Sequence, residues 1–79
     1  MLDASHGQLL KDMLNRRSWA REELQKKVAQ YDLMLEGAIE TLNEAAFDAF
    51  GAGLIEGDDP FEINSEVERL ILQAAANAS

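Results

Sequence analysis

The sequence predicts a mainly α-helical domain with a small β-hairpin, a winged-helix-like module of three to four helices. Two patterns and one size argument carry this. Apolar residues recur at three- and four-residue spacing through most of the chain, the signature of amphipathic helices. Late in the sequence that period gives way to Leu54-Ile55-Glu56 and Phe61-Glu62-Ile63 around Gly57-Asp58-Asp59-Pro60, two short extended segments about a turn too long for a two-residue hairpin. Seventy-nine residues make one domain with a single core, burying only about 60% of the unfolded surface.

Leu9, Leu10, Met13 and Leu14 predict a first helix over residues 5–15. His6, alone near the terminus, reads as a solvent-exposed side chain with no second imidazole to make it a ligand. Ser18-Trp19 breaks the helical pattern; Ser18 is positioned to cap a second helix over 20–31, in which Leu24, Val28 and Tyr31 line one face. Arg17-Ser18-Trp19 also reads as a very short third strand. Leu33 to Gly37 turns the chain into a third helix, the longest and most regular, which Gly51-Ala52-Gly53 terminates. After the hairpin, Ser65-Glu66-Val67-Glu68 has the form of a capping box opening a fourth helix with Val67, Leu70 and Ile71 inward. Trp19, Tyr31, Phe47, Phe50 and Phe61 read most simply as core, although Phe47 points nearer the acidic arc of the third helix, where it could join an exposed docking surface.

Charge is segregated. Eleven of the fifteen acidic residues follow Tyr31, where Arg69 is the only Lys or Arg, and the net charge is −8. Such a balance opposes phosphate backbones and anionic lipid, both of which need clustered Lys and Arg. The absence of cysteine excludes disulfides and thiolate metal sites and fits a reducing compartment. With no signal-peptide pattern and only short apolar runs, the expectation is a cytoplasmic protein. No phosphate-binding loop, nucleophile beside a base or metal-hydrolase motif occurs, so the expectation is a domain that is not an enzyme. The alanine-rich end, Gln73 to Ser79, suggests that residues 1–79 are one module of a longer multidomain protein.

The third helix holds the candidate site. Glu36, Glu40, Glu44 and Asp48 recur every fourth residue, at roughly 60°, 100°, 140° and 180° around the axis from Ile39, opposite Leu35, Ala38, Leu42, Ala45, Ala46, Ala49 and Phe50. Three like-charged pairs cost the helix roughly one kcal/mol together. Glu56, Asp58, Asp59, Glu62 and Asn64 follow on the hairpin. If the hairpin folds back beside the helix, the two groups form an oxygen-rich patch of the kind that Ca²⁺ or Mg²⁺ takes. The spacing is not that of an EF-hand. Three readings of the patch are open: a divalent-cation site, a docking face for a basic protein surface, and a solvated stripe that keeps the domain soluble. Nucleic-acid binding is the least favoured, since the third helix carries no Lys or Arg. Asn43, on the border between the faces, is expected to bond a buried backbone group.

The run Leu33-Met34-Leu35-Glu36-Gly37-Ala38-Ile39-Glu40-Thr41-Leu42-Asn43-Glu44-Ala45-Ala46-Phe47-Asp48, with Leu54-Ile55-Glu56-Gly57-Asp58-Asp59-Pro60-Phe61-Glu62-Ile63-Asn64 and the upstream Trp19 and Glu23-Leu24, resembles the TerB-C domain. That family consists of modules C-terminal to TerB in bacterial proteins linked to tellurite resistance and stress response. The resemblance implies a non-catalytic accessory domain within a larger protein, with acidic residues proposed to chelate a divalent metal. Carried over, the ligand positions are Glu36, Glu40, Glu44, Asp48, Glu56, Asp58 and Asp59, and the implied partners are the TerB module or another basic surface. The chain departs from the family pattern at Glu36, where many members carry Asp before the glycine, and at Ala45, where they often carry an aromatic residue.

Overall fold

The protein is described by a computed structural model covering residues 2–78. In chain order the elements are α1 (Ala4–Met13), β1 (Ser18–Trp19), α2 (Arg21–Ala29), α3 (Leu35–Phe50), β2 (Ile55–Gly57), β3 (Phe61–Ile63) and α4 (Ser65–Ala78). The class is the expected one, mainly α with a β-hairpin, and Ser18-Trp19 adds the third strand. The sheet is antiparallel in the order β1-β3-β2, with Trp19 opposite Phe61 and Ile55 opposite Ile63.

One core joins all seven elements. Leu9 and Met13 from α1, Trp19 from β1, Leu24 and Val28 from α2, and Leu35, Ala38, Leu42 and Ala46 from α3 meet Leu54, Ile55, Phe61, Ile63 and Val67. No polar or charged residue is buried among the described residues. On β3 the side chains alternate, Phe61 and Ile63 inward and Glu62 outward, as the pleat requires. Trp19 brings its one polar atom with it: the indole N–H donates to the Met13 carbonyl at 3.1 Å, while Arg16 stacks on the ring at 4.2 Å from its centroid. In the turn, Gly57 has φ +83°, and a Cβ there would sit 2.8 Å from the Pro60 carbonyl oxygen, so the hairpin closes only on glycine.

The helix ends differ from the expectation in instructive ways. Helix α1 begins at Ala4 because Asp3 caps it, its carboxylate accepting the His6 N–H at 2.8 Å. The same oxygen lies 2.9 Å from His6 Nδ1, and the imidazole is only 12% exposed, not the free side chain expected. Ser18 does not cap α2, because β3 draws it into the ladder opposite Glu62. The Glu23 carboxylate takes the Ala20 N–H instead. Helix α2 stops at Ala29, two residues early, as Asp32 turns left-handed at φ 57° and the Leu33 N–H returns to the Val28 carbonyl. The Ser65 capping box does not form either. Asn64, held extended by its own N–H bond to the Leu54 carbonyl, accepts the Glu66 and Val67 N–H groups at 3.0 and 3.2 Å and so takes the N-cap. Of the expected inward residues of α4, Val67 is buried and Leu70 and Ile71 are half-buried.

Candidate interaction surface on the third helix

Helix α3 runs sixteen residues from Leu35 to a left-handed cap at Gly51. Its core face is what the alternation of Leu and Ala dictates: Leu35, Ala38, Leu42 and Ala46 are buried. Asn43 secures the border of that face. Its Oδ1 accepts the Leu54 and Ile55 N–H groups at 3.0 and 2.8 Å, and its Nδ2 donates to the Ile55 carbonyl at 3.1 Å. The side chain thus acts as an extra strand residue for β2, the structural role expected for it.

Glu40, Glu44 and Asp48 are exposed on the far side. Among the described residues none of the three makes a side-chain hydrogen bond or ion pair. Successive carboxylates stand about 6 Å apart along the axis. Phe47 is not in the core, contrary to expectation: it lies within this ridge and is 59% exposed, because its place on the polar arc of α3 turns it away from the packed face. The last turn of α3 carries no basic residue, so the partial negative charge of the helix C-terminus adds to that of Asp48.

The turn carboxylates have a different fate. Arg21, the first residue of α2, reaches Asp58 at 2.6 Å and Glu36 at 3.5 Å, and its backbone N–H donates to Asp59 at 3.1 Å. Its guanidinium also lies 5.7 Å from the centre of the Phe61 ring. One residue therefore joins the start of α2, the start of α3 and the hairpin turn. Asp59 accepts the first amide of α2, which the N-cap Ala20 has no side-chain oxygen to satisfy.

Of the seven positions singled out by sequence, the structure brings together Glu36, Asp58 and Asp59, with a cation of the protein's own between them. Glu40, Glu44 and Asp48 climb away along α3; from Glu36 to Asp48 the rise is about 18 Å, many times the 2.3–2.6 Å reach of a metal–oxygen bond. Glu56 sits on the sheet directly opposite Glu62. Among the described residues no group of three or more His, Cys, Asp or Glu side chains is disposed to hold a metal ion. The arrangement is an ion-paired corner and a linear ridge, and it does not fit a coordination sphere. Sequence reasoning missed Arg21, and no signal could have found it: its partners lie fifteen to thirty-eight positions away.

Three groups near the N-terminal half titrate away from their ordinary values. The His6 amide, and then its ring, hold Asp3 below 3.8. The Arg16 guanidinium, 2.6 Å away, and the Ala20 N–H hold Glu23 below 4.5. The Tyr31 hydroxyl donates to Asp12, whose carboxylate opposes a phenolate and raises Tyr31 above 10.0.

No curated protein and no solved structure matches the chain. Residues 1–72 match the TerB-C domain along nearly the whole sequence, and the chain belongs to the TerB-C domain family.

Proposed function

We propose that this TerB-C domain is an interaction module, one that uses the acidic ridge of α3 to dock a basic protein surface. TerB-C domains are accessory units related to tellurite resistance and belong within larger proteins, so the first partner to consider is a TerB module of the same protein. The observation that carries the reading is the contrast in neutralisation. Among the described residues Arg16, Arg21, Lys26 and Arg69 each pair with a carboxylate on another element or turn, whereas Glu40, Glu44 and Asp48 stand along one helix face with no ion pair. Such a ridge destabilises its own helix by about 0.2–0.5 kcal/mol per like-charged pair, a cost relieved when a basic surface arrives. Phe47 provides an aromatic face among the carboxylates against which an Arg or Lys can lie.

Titration calorimetry against an isolated TerB module tests this. Association should weaken steeply as salt rises past the point where the screening length falls to about 8 Å. Glu40→Lys and Glu44→Lys should each weaken it without unfolding the domain. Affinity indifferent to salt and to both reversals removes the reading.

A further inference from the structure

Beside the acidic ridge, on the neighbouring arc of α3, the surface changes character. An open cleft of about 420 Å³ runs between α1, α3 and α4. Eleven described residues line it, and Asp48 is the only one with a charge. Its floor is Leu42 and Leu54, and its walls include Leu10 from α1, Ala45 and Ala49 from α3, and Ile71 from α4. Ala49 is exposed, and Leu10, Ala45 and Ile71 are only half-buried. Helix α4 supplies one wall and then continues with every residue from Leu72 to Ala78 exposed.

The helical wheel makes ridge and cleft one surface. At about 100° per residue, Glu44 and Asp48 precede Ala45 and Ala49 around α3, so the last carboxylate of the ridge is the rim of the cleft. We infer, resting on the docking function proposed above, that this cleft receives one face of a partner's amphipathic helix, whose apolar row enters between α1, α3 and α4 while Lys or Arg on its flank meets Asp48 and Glu44.

The dimensions suit that occupant. From Leu42 to Ala49 the cleft follows α3 for about 10 Å, two turns of a bound helix with anchors at i, i+3 or i+4, and i+7. Alanines at 45 and 49 keep the wall low enough for another helix to approach at the usual 8–10 Å between axes. Charge selects among occupants. A second copy of this chain would set two unpaired anionic ridges against each other in a molecule of net charge −8, and an anionic lipid surface would be repelled for the same reason. A basic amphipathic helix meets attraction at the rim and apolar contact within.

The test uses the full chain, isotope-labelled, and a synthetic helical peptide with leucines at i, i+4 and i+7 and lysines along one flank. Its control is a scrambled peptide of identical composition. The ordered peptide should shift the methyl signals of Leu10, Leu42, Ala49 and Ile71 and bind about tenfold or more tightly than the scramble, because only it can bury its apolar row. Ala49→Gln, which keeps the helix and the charge but puts an amide into the cleft, should weaken the ordered peptide by a similar factor at every salt concentration. Equal binding of the two peptides, with shifts confined to Glu40 and Glu44, would overturn the cleft and leave the docking ridge standing. An Ala49→Gln affinity within twofold of the native one, or no binding of the ordered peptide at all, also overturns it; the TerB titration then judges the ridge independently.

Discussion

Acidic residues in this domain live two different lives. Glu36, Asp58 and Asp59 close a corner around Arg21, tying α2 and α3 to the hairpin turn. Glu40, Glu44 and Asp48, of the same chemistry and on the same helix as Glu36, face solvent without a counter-charge among the described residues. The difference lies in what the fold places opposite them. A carboxylate near the start of α2 completes a helix end and an ion pair, whereas one at the far side of α3 meets only its like-charged neighbours. Carboxylates of the first kind contribute to architecture, and those of the second are free for a partner.

Asn43 gives the strongest test of the structural side, because it sits between Glu40 and Glu44 yet is committed wholly to the fold. Asn43→Ala leaves the Leu54 and Ile55 N–H groups and the Ile55 carbonyl without their partner, at part-buried positions. Denaturant unfolding should show a loss of about 2–3 kcal/mol, since unsatisfied groups cost on the order of 1–3 kcal/mol each and water recovers part. A loss below half a kcal/mol would mean that β2 is held by the sheet and the core alone.

Charge reversal on the ridge should act in the opposite direction. Glu44→Lys converts two repulsive four-residue pairs, with Glu40 and Asp48, into attractive ones, so the domain should gain about 1 kcal/mol. The same change should weaken docking. Stability rising while affinity falls is the pattern of a surface kept for a partner at some cost to the monomer. A loss of stability would show that the ridge is satisfied within the domain and would blur the contrast with the corner.

Arg21→Ala approaches the comparison from the other end. Its ion pairs are solvent-exposed, with Asp58 and Glu36 both more than 80% accessible, so their loss should cost less than about 1 kcal/mol. What should change is the local field: Glu36 and Asp58 lose the guanidinium between them, while the backbone N–H of residue 21 still holds Asp59 beside them. If the corner then behaves like the ridge, millimolar Ca²⁺ should raise the melting temperature of Arg21→Ala more than that of the native chain. An equal response would show that these side chains separate once the guanidinium is gone.

Much of the fold was legible because it rests on short-range pattern. The Leu and Ala spacing of α3, the Gly51 stop, the glycine turn of the hairpin and the extended Ser18-Trp19 segment are local features whose physics is complete within a few residues. The helix caps were less legible wherever tertiary contacts competed. Ser18 and Ser65 have suitable hydroxyls, but the ladder takes Ser18, and Asn64, fixed by the strand before it, reaches the free N–H groups of α4 first. The candidate site divided the same way. Periodicity located the ridge and placed Asn43 against backbone, but aromatic character outweighed helical position for Phe47, which was expected in the core and is exposed. It could not place the turn relative to α3, because the side chain that decides the matter, Arg21, belongs to another helix.

The smallest effects belong to the N-terminal half, at Asp3, Glu23 and Tyr31, where the bonding partners are defined and the signs can be worked out. Glu23 and Asp3 titrate below their ordinary values of 4.5 and 3.8, so the folded state prefers their ionised forms. Their contribution is present above those values and fades as pH falls through the lowered ones. Tyr31 is displaced upward from 10.0, so its contribution is complete below that value and is lost as pH climbs through the raised one. Melting temperature should therefore hold a plateau between these limits and decline on both flanks. Glu23→Gln should lessen the acid decline, and Tyr31→Phe, which removes the bond to Asp12, should lower the plateau slightly and lessen the alkaline decline. Glu23 is exposed and Tyr31 only half-buried, so shifts of only a few degrees are in view. The ridge carboxylates offer a contrast within the same scans: at neutral pH Glu40→Gln removes the repulsion with Glu36 and Glu44 and should raise the melting temperature, whereas Glu23→Gln, which gives up charge-assisted bonds to Arg16 and the Ala20 N–H, should lower it. A Glu40→Gln profile parallel to that of Glu23→Gln would place the two kinds of carboxylate in one class.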